Sequence, residues 1–222
     1  MPTCNLTSTV PRFTGGNLAA LFYREARWRD RRLSPSLLSS ASMKKPAQII
    51  EIFLQPGDFY FGDRNTHIRT LLGSCISITL WHPQLLIGGM CHFMVPSRGK
   101  QPDTVPLDGH YADEALELFR REIRAAGTLS AEYEVKLFGG SNMFTDSGRH
   151  FCPNKNCLDP FTNSCRDVSC RNQRSARLLV ERHGFTVKAE RLGGTKPHNV
   201  LFDLWSGNVW IKRPPKILKC QE

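Results

Sequence analysis

Residues 76–80 alternate between apolar and polar side chains, with Ile76, Ile78 and Leu80 separated by Ser77 and Thr79. A period of two is typical of a half-buried β-strand. Apolar segments bounded by Gly, Pro or polar turns predict further strands. These segments span residues 47–54, 59–61, 85–95, 133–140, 185–190, 199–205 and 208–213, and a Ser-Gly-Asn turn joins the last two as a hairpin.

Two stretches show the helical period instead. In residues 110–127 the apolar side chains recur every three to four positions, and Gly127 follows as a stop signal. Residues 172–183 repeat the pattern before Gly184. Because strands outnumber helices, we expect an α/β fold, a layered α/β sandwich with a mixed or antiparallel β-sheet and two main helices.

The alternating strand and the apolar strand after it predict a β-hairpin. A turn centred on Pro83-Gln84 would place Cys75 directly opposite His92. Directly opposed residues of an antiparallel pair have Cβ atoms about 5 Å apart, close enough for a thiol and an imidazole to share a proton. A bulge at Gly88-Gly89 would break this register and is the alternative.

The turn Gly73-Ser74-Cys75 presents a thiol at the start of a strand. A neighbouring imidazole raises the thiolate fraction of such a thiol and can protonate a leaving amine. The turn would direct backbone N–H groups at a developing oxyanion, and Thr70 would orient the imidazole or bind in the pocket. Simple packing also brings Cys and His together on neighbouring strands, so geometry alone leaves both interpretations open.

Charge and hydropathy argue against two kinds of partner, nucleic acid and the membrane interior. The formal net charge is +10, but residues 1–45 hold eight basic and two acidic side chains and so carry +6 of it. A basic tail on a nearly balanced domain is weak evidence for nucleic-acid binding, and we expect no nucleic-acid partner. Apolar runs stay shorter than 18 residues, so we expect no membrane insertion.

The two ends of the chain differ from its centre in their pattern of apolar and polar residues. We expect residues 1–46 to be a disordered N-terminal extension, with Met43 as an alternative start, and residues 214–222 to be a C-terminal tail. The extension is Arg- and Ser-rich, a composition that an organellar transit peptide shares, but it has no secretory signal pattern. The eight cysteines are therefore expected to be reduced, in a cytoplasmic protein.

Four cysteines, Cys152, Cys157, Cys165 and Cys170, form a C-x4-C-x7-C-x4-C array. Four thiolates can bind a structural zinc ion, but the usual signature contains close C-x2-C pairs. We expect an insertion at about residues 145–170 that carries free thiols and no metal. A zinc-stabilised interaction module is the alternative.

Three separated blocks carry a more specific pattern. They are TLLGSCISITLWHPQLLIGGMCHFMVP from Thr70, KLFGGSNMF from Lys136, and RLGG from Arg191 followed by VLFDLWSGNVWIKR. These blocks, in this order, resemble the CheD family, the chemoreceptor glutamine deamidases of bacterial chemotaxis. The resemblance runs from about Ile49 to Arg213, so we expect residues 47–213 to form a CheD-like deamidase domain.

The resemblance implies a Cys-His-Thr catalytic site without a cofactor. Cys75 would attack the carboxamide of a receptor glutamine, His92 would move the protons, and Thr70 would hold the imidazole. The product would be glutamate, and glutamyl methyl esters would be a second substrate class. The candidate substrate-binding residues are Gly73, Ser74, Gly139 and Gly140, although a tight turn would equally explain the last two.

The same resemblance implies partners and a fold. The partners would be chemoreceptor cytoplasmic domains and, in some bacteria, a CheC-type phosphatase, and the fold would be similar to the catalytic domains of bacterial deamidating toxins. A non-catalytic adaptor that binds receptors or the phosphatase is the alternative function. Two departures concern the pocket wall: residues 168–172 read Val-Ser-Cys-Arg-Asn where Ile-Gly-x-x-Asn is usual, and His198 stands where an arginine is usual.

Overall fold

The computed structural model describes residues 44–143, Cys165 and residues 167–212. The helices of these residues are α1 (Ala112–Ala125) and α2 (Val168–Arg182), with a short 3-10 helix at Ser130–Glu132. The strands are β1 (Ile50–Leu54), β2 (Phe59–Asp63), β3 (Thr66–Leu72), β4 (Ile76–His82), β5 (Ile87–Phe93), β6 (Glu134–Gly139), β7 (Thr186–Leu192), β8 (His198–Asp203) and β9 (Val209–Lys212).

The strands form two sheets. One has the order β1-β3-β8-β9 and the other β2-β5-β4-β6-β7. The pairs β1–β3 and β6–β7 are parallel, and the remaining pairs are antiparallel. Mixed sheets and two main helices confirm the expected layered α/β sandwich. The likeness to deamidating toxins stays a prediction.

Apolar side chains from both sheets meet in one core. The four-stranded sheet contributes Ile68, Leu72 and Phe202, and the five-stranded sheet contributes Met90 and Phe138. Helix α1 packs on β2 and β5, and helix α2 packs on β4 and β7. Every residue of β4 and β5 is buried, because the five-stranded sheet is the middle layer of the sandwich.

Strand β3 is the element that the hydrophobic pattern does not identify. Its inward positions alternate with more accessible ones, as in any half-buried strand. Two of the inward positions are Thr66 and Thr70, and threonine in place of valine or isoleucine weakens the alternation of hydrophobicity. Strand β3, which carries the candidate residue Thr70, therefore shows no clear hydrophobic alternation, because Thr70 itself is polar.

Helix α2 begins at Val168, four residues before the predicted start at residue 172. The side chain of Asp167 accepts hydrogen bonds from the backbone N–H groups of Ser169 and Cys170. Such N-cap bonds satisfy donors that the first turn of a helix leaves free. The cap therefore extends the helix by one turn toward its N-terminus.

The predicted opposition of Cys75 and His92 is wrong by two residues. In the β4–β5 ladder His92 pairs with Ser77, and Cys75 lies just outside the terminal pair Ile76–Phe93. The hairpin closes at His82 because the N–H of Leu86 donates to the His82 carbonyl and Leu86 has a φ of 51°. The alternative, a bulge at the Gly-Gly pair, is also wrong, since this ladder is continuous.

Several expectations fall on residues outside the described part of the chain. They are residues 1–43 of the extension, residues 145–164 and 166 of the insertion, and the whole tail, residues 214–222. The predicted domain boundaries stay predictions. Among the described residues, neither helix combines the length and apolar character needed to cross a lipid bilayer.

Candidate active site

His92 is fixed in the middle layer by its backbone and by its ring. Its N–H donates to the Asp58 carbonyl over 3.0 Å, and its carbonyl accepts from the Gly57 N–H over 2.7 Å. Its ring Nδ1 lies 2.8 Å from the hydroxyl oxygen of Thr70, which belongs to the other sheet. The hydrogen bond between imidazole and hydroxyl therefore crosses the interface between the two sheets.

The hydroxyl of Thr70 determines which nitrogen of His92 carries the proton. This hydroxyl donates its single hydrogen to the Leu54 carbonyl over 2.9 Å. It can then only accept from His92, so Nδ1 is the protonated nitrogen and Nε2 the free base. Nε2 is buried and has no hydrogen-bond partner within the described residues. Thr70 thus contacts the imidazole, and its predicted role in catalysis stays a prediction.

Burial keeps the imidazole of His92 neutral. Desolvation lowers the pKa of His92 from 6.5 to about 4, against a smaller opposing effect of the Leu54 carbonyl. The charge of His110 makes a smaller contribution to the same lowering. A neutral Nε2 that is ready to accept a proton is what a general base requires at neutral pH.

Cys75 lies partly buried in the loop between β3 and β4. Burial raises the pKa of the Cys75 thiol, while the Ser74 hydroxyl and the N–H of Cys75 itself act in the opposite direction. Since Nε2 of His92 has no partner in the described part of the chain, the thiol makes no hydrogen bond to it. Both pKa directions favour a neutral thiol and a neutral imidazole at rest, with proton transfer left to the reaction.

Gly139 and Gly140 support the backbone of the Cys75 loop. The N–H of Gly140 donates to the Cys75 carbonyl over 2.8 Å. At Gly139, where φ is +105°, an added Cβ would lie 2.3 Å from the same carbonyl oxygen. Both glycines are therefore next to Cys75, and their observed contact is with its main chain. That they or Gly73 and Ser74 bind substrate stays a prediction.

The structure adds Asn172, a residue that the sequence indicated only as the end of a family pattern. Asn172 is fully buried in α2, and its Nδ2 donates to the carbonyls of Ser74 and Met94. Gln173 follows, and its Nε2 donates to the Gly140 carbonyl. The sequence pattern of α2 predicted only a packing face. In the structure, α2 holds the Cys75 loop through Asn172 and the supporting Gly140 through Gln173.

The two departures from the family pattern lie at the start of α2 and at the start of β8. Ser169 and Cys170 occupy the first turn of α2, where their N–H groups donate to Asp167. His198 lies at the start of β8, opposite Leu72 of β3. Its Nδ1 is buried, and among the described residues it has no partner. Burial and the charge of Arg191 lower the pKa of His198, so this histidine does not replace the positive charge of an arginine at neutral pH.

The four-cysteine array cannot be placed as a unit, since Cys152 and Cys157 lie outside the described residues. Cys165 is buried and Cys170 is partly buried. Among residues 44–143, 165 and 167–212, no group of three His, Cys, Asp or Glu side chains has the arrangement of a metal site. The zinc alternative stays a prediction.

Replacing Thr70 with valine is expected to free the His92 ring and to lower the free energy of unfolding by about 1–3 kcal/mol, because a buried N–H and the Leu54 carbonyl lose their partner. Imidazole 15N shifts should change from a single tautomer, protonated at Nδ1, to a mixture. Thr66→Val, at a buried threonine on the same face of β3, is the control. An unchanged tautomer in Thr70→Val would contradict the assignment.

A buried neutral imidazole with a fixed tautomer, paired in the ladder with a residue two positions after Cys75, defines a candidate site for thiol-dependent acyl transfer. A family model described as CheD chemotactic sensory transduction matches residues 94–213. This segment begins after His92. It includes the residues that hold the Cys75 loop, Gly140 and Asn172, but not Thr70, Cys75 or His92.

Curated relatives extend the match over the rest of the site. A protein of Pseudomonas fluorescens SBW25, named probable chemoreceptor glutamine deamidase CheD, is 47% identical over 173 residues, 78% of this chain and 90% of its own. A probable CheD 3 of Dechloromonas aromatica RCB is 44% identical over 169 residues, 76% of this chain and 91% of its own. A probable CheD 1 of Leptospira interrogans is 37% identical over 174 residues, 77% of this chain and 96% of its own. The chain belongs to the CheD family.

Proposed function

We propose that this protein converts glutamine side chains of chemoreceptors to glutamate and releases ammonia. The observation that carries the proposal is the Thr70–His92 hydrogen bond, which leaves Nε2 unprotonated and buried on β5. The partner of His92 in the ladder is Ser77, two residues after Cys75. The relatives named as probable chemoreceptor glutamine deamidases support the choice of substrate.

The first half of the reaction forms a thioester. The Cys75 sulfur attacks the side-chain carbonyl carbon, and the thiol proton passes to Nε2 of His92. The carbonyl electrons move to oxygen, where backbone N–H groups of the loop stabilise the negative charge. Nε2 then gives its proton to the nitrogen, the carbon–nitrogen bond breaks, and ammonia leaves.

The second half returns the enzyme to its resting state. A water molecule attacks the thioester carbon while Nε2 of His92 accepts one of its protons. The carbon–sulfur bond breaks, the proton returns to sulfur, and glutamate is released. A glutamyl methyl ester would follow the same course with methanol as the leaving group.

The neutral resting pair fits a protein that must discriminate among thiol-reactive molecules. A raised thiol pKa keeps the thiolate fraction of Cys75 low, so the nucleophile forms when a carbonyl and the imidazole are both in place. We propose a cytoplasmic location, since receptor cytoplasmic domains are the expected substrates. A CheC-type phosphatase remains a second proposed partner.

The test is the intact mass of a chemoreceptor cytoplasmic fragment after incubation with the protein. Each deamidation by an activated cysteine replaces an amide nitrogen with oxygen and adds about one mass unit. Peptide mapping then assigns the glutamine, and a fragment with that glutamine replaced by asparagine serves as the control. A wild-type protein that binds several receptor fragments and shifts none would favour the adaptor alternative.

A further inference from the structure

Asn172 connects the two segments that carry the candidate catalytic side chains. Its Nδ2 lies 3.0 Å from the carbonyl of Ser74, which precedes Cys75, and 2.7 Å from the carbonyl of Met94, two residues after His92. A flipped amide would turn its oxygen toward two carbonyl oxygens, so the orientation of the side chain is fixed. Both N–H groups of the amide are thus used to hold these two segments together.

Three successive carbonyls of the Cys75 loop are held by hydrogen bonds. The Gly73 carbonyl accepts from the N–H of Ser141, the Ser74 carbonyl from Asn172, and the Cys75 carbonyl from the N–H of Gly140. The bond from Asn172 is the only one of the three that a side chain makes. A substitution of Asn172 can therefore remove this bond while the donors of the other two, which are main-chain N–H groups, stay in place.

The bond to Ser74 determines where the N–H of Cys75 points. A trans peptide unit is planar, with its C=O and N–H in opposite directions. Because the Ser74 carbonyl faces Asn172, the N–H of Cys75 faces away from α2. This N–H lies beside the sulfur of its own residue, where it favours the thiolate and so opposes the effect of burial on the thiol pKa. The N–H and the sulfur of Cys75 therefore face the same side.

We propose that Asn172 is a positioning residue that aims the N–H of Cys75 at the oxygen of the bound carbonyl. The inference rests on the proposed function in so far as Cys75 is the nucleophile. When sulfur attacks, negative charge develops on that oxygen, and a donor already in place stabilises it without reorganisation. Without the amide of Asn172, the Ser74–Cys75 peptide can rotate, and its N–H loses this direction.

Butanal tests the inference without a receptor. Its aldehyde adds to a cysteine thiol: a carbon–sulfur bond forms, the carbonyl electrons move to oxygen, and the thiol proton ends on that oxygen. The tetrahedral adduct needs the same N–H donor. We expect Asn172→Ala to raise the dissociation constant for butanal at least about tenfold, as measured by protection of Cys75 from iodoacetamide. Alkylation by iodoacetamide alone, which has no oxyanion, should change less than about threefold.

Ser175→Ala is the matched control, since Ser175 is fully buried in the same helix and its hydroxyl donates only to the Asn172 carbonyl. Its affinity for butanal should stay within about twofold of wild type, because the N–H direction is unchanged. Equal affinity in Asn172→Ala and wild type would overturn the inference. So would an alkylation rate that falls as much as the affinity does, because that result indicates general disorder of the loop.

A measurement on the wild-type protein covers the case in which Asn172→Ala does not fold. Butanal should shift the amide proton of Cys75 downfield, because that N–H donates to the adduct oxygen; an unchanged shift in the formed adduct would overturn the inference. Receptor deamidation is scored separately. A wild-type protein that binds butanal and leaves receptors unchanged contradicts the proposed function alone.

Discussion

Replacement of Cys75 by alanine is expected to reduce deamidation of a receptor fragment by at least about a thousandfold, because no other group in the described site can form the thioester. The rate is measured as the loss of the one-unit mass shift with time. Binding of the receptor should be retained, since Cys75 is partly buried and contributes little surface.

The matched control is Cys91→Ala, one position before His92 on β5. Cys91 is fully buried, and burial raises its pKa to about 12, so it has no nucleophilic role at neutral pH. Its replacement should leave the rate within a few-fold of wild type, provided the protein remains folded. Full activity in Cys75→Ala would contradict the proposed chemistry, and equal losses in both variants would indicate damage to the core.

Replacement of His92 by glutamine is expected to lower kcat by about a hundredfold to ten-thousandfold, the usual contribution of a general acid–base. The wild-type pH profile gives an independent check. Protonation of Nε2 abolishes the base, and burial lowers the pKa of His92 to about 4, so kcat/KM should fall as the pH falls through about 4. Between pH 5 and pH 7 the profile should be flat.

His183→Gln is the control for the second experiment, because His183 caps the C-terminal end of α2 and belongs to no part of the site. It should keep both the rate and the pH profile of the wild-type protein. An acidic limb with a midpoint near 6.5, the pKa of a solvated imidazole, would contradict the buried, neutral state of His92.

The sequence predicted the strands and helices well where their periodicity was strong. Residues 76–80 alternate and form β4, and the apolar run at residues 85–95 contains β5. Strand β3 was not predicted, because two of its inward positions are the polar residues Thr66 and Thr70. Local patterns record which side chains are apolar, and a buried threonine with a functional hydrogen bond looks like a surface residue.

The sequence supplied the candidate residues of the site, which stay predictions, but not their geometry. Cys75, His92 and Thr70 were identified, yet the register was displaced by two residues because the main-chain bond from Leu86 to His82 sets the length of the hairpin loop. The bond between Thr70 and His92 joins two different sheets, and no local pattern specifies how sheets pack. Asn172 acts across a much larger separation in the sequence, 98 residues to Ser74 against 22 between Thr70 and His92, and only its contacts identify it.

The hydrogen bond between Thr70 and His92 also links the proposed catalysis to the alignment of the two sheets. The imidazole is anchored in one layer and its orienting hydroxyl in the other, so a small shear of one sheet over the other misdirects the ring before any strand unpairs. We therefore expect activity to fall at smaller displacements of the two sheets than those that change the secondary-structure content. Substitutions in the shared core around Ile68 and Met90 are therefore expected to affect activity as changes at the site itself do.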